Sequence, residues 1–129
     1  MLGATYKGPY ALVAALSSVQ NAHTYTRANA PRLLAGTVQS HSAVTSVSLK
    51  LRRSYRGRCY AYDATRARFV HAHCGSGHFF TASSSAAFSY LLPKRLAAGR
   101  YVLDVQAADV AGNRTTLARG SSRVVFYVR

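Results

Sequence analysis

Acidic side chains are nearly missing from this sequence. Asp63, Asp104 and Asp109 are its three carboxylates, set against 17 lysines and arginines, which leaves a formal charge of +14 over 129 residues. A catalytic centre built on paired carboxylates therefore has few residues to draw on. Long hydrophobic runs are missing as well. The longest candidate, Tyr10 to Leu16, falls far short of the roughly 20 apolar residues that cross a bilayer, so no membrane span is expected. Neither familiar glycine-rich phosphate cradle occurs, and no nucleotide or other cofactor is expected. Cys59 and Cys74 are the two cysteines, without any Cys-x-x-Cys knuckle.

What is present argues for a folded chain. Hydrophobic residues make up 49%, including nine Tyr and five Phe, which excludes intrinsic disorder despite the charge. The length fits one domain. Cations run from Arg27 to Arg129 without forming a tail, and one cluster, Lys50, Arg52, Arg53, Arg56 and Arg58, is a candidate anion-binding patch. The competing reading is a basic, solvated surface, with the excess of Arg reflecting coding bias.

From Leu33 onward, short alternating apolar runs are broken by Gly, Ser, Asn and Pro, the pattern of an all-β sandwich or barrel. "TSVSLKL" places Val47, Leu49 and Leu51 on one face. "AFSYLL" does the same with Phe88, Tyr90 and Leu92, and "RVVFYV" with Val124, Phe126 and Val128. "GRCYAYD" and "HFFTAS" supply two more strands, and Leu34 to Gln39 an opening one. "RYVLDVQA" points Tyr101, Leu103, Val105 and Ala107 inward and Asp104 and Gln106 outward. The count of about seven fits an immunoglobulin-like Greek-key β-sandwich over residues 32–129. Residues 1–31 read as an irregular or partly helical segment, the remnant of an upstream region. Lys7 followed by the Tyr10–Leu16 run has the order of a signal peptide, but the run is short and no small-x-small cleavage site follows.

The two neighbouring acids sit in "LAAGRYVLDVQAADVAGN". Asp109 can accept backbone N–H bonds within a turn, and Gly112 and Asn113 tolerate positive φ where the chain reverses. A tyrosine at Tyr101 can bury its ring and return its hydroxyl to upstream backbone. Five positions of alternation put Asp104 and Asp109 on opposite faces, which discourages a catalytic pair. Asp104 is expected to be an exposed partner for an Arg, in a contact worth under about 1 kcal/mol.

This stretch resembles the closing half of fibronectin type III and bacterial immunoglobulin-like domains. Leu96, Gly99 and Tyr101 match the way into their penultimate strand, and Asp109, Gly112 and Asn113 the hairpin that ends it. Together with "RGRCYAYD", "HCGSGHFF", "FSYLLP" and "RGSSRVVFYV", the span from Pro31 to Arg129 is similar to the C-terminal immunoglobulin-like segment of secreted actinobacterial proteins. The resemblance implies a cell-exterior or cell-surface module, usually one part of a longer protein, with no catalytic residues.

Cys59 and Cys74 read as one disulfide. The metal alternative would use "HAHCGSGH", with His71, His73, Cys74 and His78 joined by Cys59, but strand alternation turns Cys74 away from His71 and His73. Free thiols are the third reading. "CGSGH" around Ser76 lacks the Gly-x-Ser-x-Gly spacing and the helix of a nucleophile elbow, so it reads as a hairpin loop. The functional expectation is a noncatalytic extracellular module, a spacer or adhesion domain touching anionic wall polymers or another protein domain. The alternative is nonspecific binding of a polyanion such as nucleic acid, although no nucleic-acid recognition motif is present.

Overall fold

Ten strands and no helix make up the described residues, 12–129, of the computed structural model. They are β1 (Val13–Leu16), β2 (Thr24–Tyr25), β3 (Leu33–Gln39), β4 (Val44–Tyr55), β5 (Arg58–Asp63), β6 (Arg68–His71), β7 (Phe80–Ser83), β8 (Ala87–Leu91), β9 (Gly99–Asp109) and β10 (Arg123–Val128). Period-two alternation decides their faces. Val47, Leu49 and Leu51 of β4 are buried, as are Tyr101, Leu103, Val105 and Ala107 of β9 and Val124, Phe126 and Val128 of β10.

Two sheets result. One has three strands in the order β1-β3-β8. The other has seven: β2-β10-β9-β4-β5-β6, with β7 on β4 beside β5. All pairings are antiparallel except β2, which runs parallel to β10. Leu34, Val38 and Phe88 of the smaller sheet join Leu49, Leu103, Val105 and Phe126 of the larger in one hydrophobic cluster. Tyr101 stacks on Phe126 at 5.2 Å between ring centroids.

The described part of the segment expected to be irregular or partly helical has no helix: it is irregular apart from the strands Val13–Leu16 and Thr24–Tyr25. Val13–Leu16 pairs with β3, and Leu12, Ala14 and Val19 enter the core cluster. A short apolar run does not distinguish helix from strand by periodicity alone, and here a neighbouring strand edge decided it. Lys7 and the start of the Tyr10–Leu16 run lie outside the described residues.

A second expectation fails at Asp104. Alternation does place it on the face opposite the core, but that face is covered, and Asp104 is fully buried. It shares the face with Val102 and Val125, also buried, and lies directly across from Lys50 on one side and Arg123 on the other.

Candidate functional site

Three cations close over one carboxylate. Arg123 donates from Nε to Asp104 Oδ1 at 2.7 Å and from Nη2 to Oδ2 at 3.0 Å; Arg52 Nη2 reaches Oδ2 at 3.3 Å, and Lys50 Nζ lies 3.9 Å away. Hydrogen bonding to Asp104 holds the Arg123 guanidinium above its ordinary pKa, against burial, which pulls it down.

The segment after β6 lies on top. Ala72 donates to Cys59 O at 3.1 Å, and the Cys59–Cys74 disulfide, with Cα atoms 5.1 Å apart, ties this segment to β5. Gly77 then comes so close to the Lys50 stem that a Cβ there would sit 3.2 Å from it, and the Phe79 ring lies 4.9 Å from Lys50 Nζ. Cys59 is half-buried and Cys74 exposed.

Beside this cover, at the tip of the β4–β5 hairpin, opens a cleft of about 440 Å³. The hairpin turns on two residues, Arg56 and Gly57, with φ of +49° and +77°, the mirror-image geometry that matches strand twist. Arginine at positive φ is uncommon and holds the Arg56 side chain out at the rim. Arg52, Arg53, Arg56, Arg100 and His73 line the cleft, with no carboxylate among its walls. Arg52 Nε is buried without a hydrogen-bond partner.

The expected anion-binding patch is thus divided among tasks. Lys50 and Arg52 serve Asp104. Arg53 lies on the other face of β4, donates from Nε to Ala98 O at 3.0 Å, and sits between the rings of Tyr55 and Tyr60, at 5.1 and 5.0 Å. Arg56 lies 5.0 Å from the Tyr55 ring. Arg58 is exposed at the start of β5. Sequence reasoning missed Arg100, which β9 places at the cleft, across from Ser54 in register.

A second hollow, of about 230 Å³, shares Arg53 as a wall. Its cations are Arg68, Lys94 and Arg95, set among Tyr62, Phe69 and Leu92. The carboxylates are engaged elsewhere: Asp104 with its three cations, Asp63 with Arg66 and its own turn, and Asp109 with Asn113 and Ser40. Among the described residues, Arg56, Arg68, Lys94, Arg95 and Arg100 make no ion pair with a carboxylate.

Family models, curated proteins and solved structures give no match to this chain. Its functional reading rests on geometry and electrostatics.

The expected turn and corner residues come together as structure. Tyr101 hydroxyl donates to Ala97 O at 2.7 Å, and burial, opposed by the nearby Arg53 and by that bond, pushes its pKa up to about 12. Leu96 is buried, and Gly99 packs so close to Arg53 and to Ser54 O that a Cβ would fall 3.0 Å from each. At the other end of β9, Asp109 Oδ1 accepts from Asn113 N at 2.8 Å, and Oδ2 from Asn113 Nδ2 and Ser40 Oγ, both at 3.1 Å. Burial pushes the Asp109 carboxyl up, but these hydrogen bonds together bring it below its ordinary value. Gly112 has φ of +85°, the left-handed geometry that this turn requires.

Both cysteine sulfurs are bonded to each other, so neither is available as a thiolate ligand; no group of three or more potential metal ligands occurs among the described residues. His71 packs against Tyr60 with ring centroids 4.7 Å apart and the rings tilted by 40°. Ser76 lies in a turn, its N–H donating to His73 O at 2.9 Å.

Proposed function

We propose that this chain is a noncatalytic immunoglobulin-like module working outside the cell as a spacer or interaction domain. The order β1-β3-β8 in one sheet and β10-β9-β4 within the other is the order that strands A-B-E and G-F-C of a Greek-key sandwich would give, which supports the reading. The observation that carries the reading is the Tyr101 hydroxyl bonded to Ala97 O at the start of β9, the strand that follows β8 into the other sheet, where such domains place their tyrosine corner. The Cys59–Cys74 disulfide supports an oxidising compartment.

Fractionation of source cells tests it. Recovery of the chain outside the cytoplasmic membrane, with Cys59 and Cys74 linked in nonreducing peptide maps, supports an exterior module. Recovery from the cytosol with both thiols free contradicts it. A second reading, binding of polyanions through the basic surface, is favoured by Arg56 and Arg100 at the first hollow and Arg68, Lys94 and Arg95 at the second, which make no ion pair with a carboxylate.

A further inference from the structure

Register and alternation gather one set of charges on the face of the larger sheet that carries Asp104. Lys50, Arg52 and Ser54 of β4 lie across from Asp104, Val102 and Arg100 of β9, and Asp104 lies across from Arg123 of β10. Asp104 pairs with Lys50, Arg52 and Arg123. One carboxylate against three cations leaves the cluster two positive charges in excess, before Arg100 is counted.

The excess reaches the cleft of about 440 Å³ through Arg52, which lines it together with Ser54, Arg56 and Arg100. Arg52 bonds Asp104 through Nη2 at 3.3 Å. Its Nη1 lies 4.0 Å from where a Cβ on Gly75 would stand, so the guanidinium also meets the disulfide-tied loop that walls the cleft. Its Nε is buried without a hydrogen-bond partner, and a charged donor out of water without an acceptor costs free energy. No carboxylate lines the cleft.

Arginine suits oxyanions because its planar fork donates two hydrogen bonds at once. Charge then separates one oxyanion from another. A carboxylate brings one negative charge and leaves the cluster in excess, whereas a doubly charged group offsets it. Ser54 and Ser76, also at the walls, carry hydroxyl donors that suit further oxygens.

We infer that this cleft binds one doubly charged oxyanion group, a free sulfate or phosphate or the phosphate of a monoester, held by Arg52, Arg56 and Arg100 as the second counter-ion of the Asp104 cluster. The site lies at one hollow. It goes beyond the polyanion reading and does not require it, since the charge of a single group, not the length of a chain, is what it selects.

The test is titration of the full oxidised chain with sulfate, inorganic phosphate, glycerol phosphate and acetate at constant ionic strength and about pH 8, where phosphate is doubly charged. Nuclear magnetic resonance of the backbone amides and arginine Nε–H groups reads it. The three dianions are expected to give saturable shifts at residues 52–57, 73–76 and 100 and at Arg52 Nε–H. Acetate is expected to bind about tenfold more weakly or worse, for want of the second charge. Arg56→Ser and Arg100→Ser are each expected to weaken sulfate binding severalfold. Lys94→Ser at the second hollow and Arg119→Ser, an exposed cation lining neither, are expected to leave it unchanged. Acetate binding as tightly as sulfate would overturn the charge argument. Shifts that fail to saturate, or an equal effect of Arg119→Ser, would reduce the site to general screening. Arg56→Ser and Arg100→Ser both without effect would remove the site from this cleft. A poly(glycerol phosphate) oligomer titrated in parallel separates the two readings. Polymer binding without any response to the small dianions would overturn this site and leave the polyanion reading standing; the reverse result would uphold the site alone.

Discussion

Arg123 holds Asp104 from the neighbouring strand through two hydrogen bonds, Nε to Oδ1 at 2.7 Å and Nη2 to Oδ2 at 3.0 Å, with the carboxylate fully out of solvent. This pair organises the outer face of the larger sheet. One buried acid gathers Lys50, Arg52 and Arg123, and the segment tied down by Cys59–Cys74 lies over them.

Asp104→Ala is therefore expected to be among the most damaging single changes in the chain. It leaves three cations crowded together without their counter-charge, and breaking a buried pair this way costs about 3 kcal/mol or more. Arg123→Ala is expected to cost less, because Asp104 keeps Arg52 and Lys50. Urea denaturation midpoints check the order; an Asp104→Ala protein as stable as the parent would contradict the buried cluster.

Asp109 shapes the turn after β9, and its hydrogen bonds fix the sign of a pH effect. Its folded-state pKa is depressed, so its contribution is present above the ordinary carboxylate range and is lost as pH falls through the folded value. The stability gap between the parent and Asp109→Asn is expected to narrow on acidification from about pH 6 to about pH 3. A gap that is constant or widens would contradict it. Gly112→Val in the same turn, at φ of +85°, is expected to cost about 1–2 kcal/mol by denaturant melt.

The tyrosine corner responds to alkali. With the Tyr101 pKa near 12, above the ordinary value of 10, its contribution is whole below about pH 10 and is lost as pH rises towards 12. Tyr101→Phe loses the bond to Ala97 O, costs about 1 kcal/mol at neutral pH, and makes the alkaline decline shallower. Ultraviolet difference titration of the phenols, alongside melts at each pH, checks both parts.

The disulfide closes a loop with a sequence separation of 15, for which chain entropy gives a contribution of about 3 kcal/mol. The Cys59→Ser, Cys74→Ser double variant is expected to lose stability of that order. Faster amide exchange at residues 73–79 is expected to accompany it, since the cover over Lys50 and Arg52 is then untied.

Much of this was legible in the sequence. The inward faces of β4, β9 and β10 follow from alternation, and the roles of Tyr101 and Asp109 follow from residue type and spacing. Asp104 did not. Alternation correctly places it off the core face, but only the fold brings Lys50 and Arg123 into register beside it and lays residues 74–79 above. A signal was present: Val102 and Val125, apolar at nominally outward positions, mark β9 and β10 as covered on both faces. β1, β2 and β6 were missed because strands of two to four residues carry little periodicity and their pairing partners decide them; β7, equally short, was read from the wider aromatic run "HFFTAS". The cleft escaped notice because it joins residues distant in sequence, Arg56 from a hairpin tip, His73 from the disulfide loop and Arg100 from β9.

We propose that Arg56, Arg68, Lys94, Arg95 and Arg100, which make no ion pair with a carboxylate, are where this module meets an anionic partner. Amide-resolved nuclear magnetic resonance during titration with a poly(glycerol phosphate) oligomer tests it most directly. The account predicts shifts concentrated at residues 52–57, 73–76, 93–95 and 100, fading as salt is raised. Shifts concentrated instead on the outer face of the smaller sheet, around Leu33 and Leu91, or spread evenly over all exposed arginines, would contradict it.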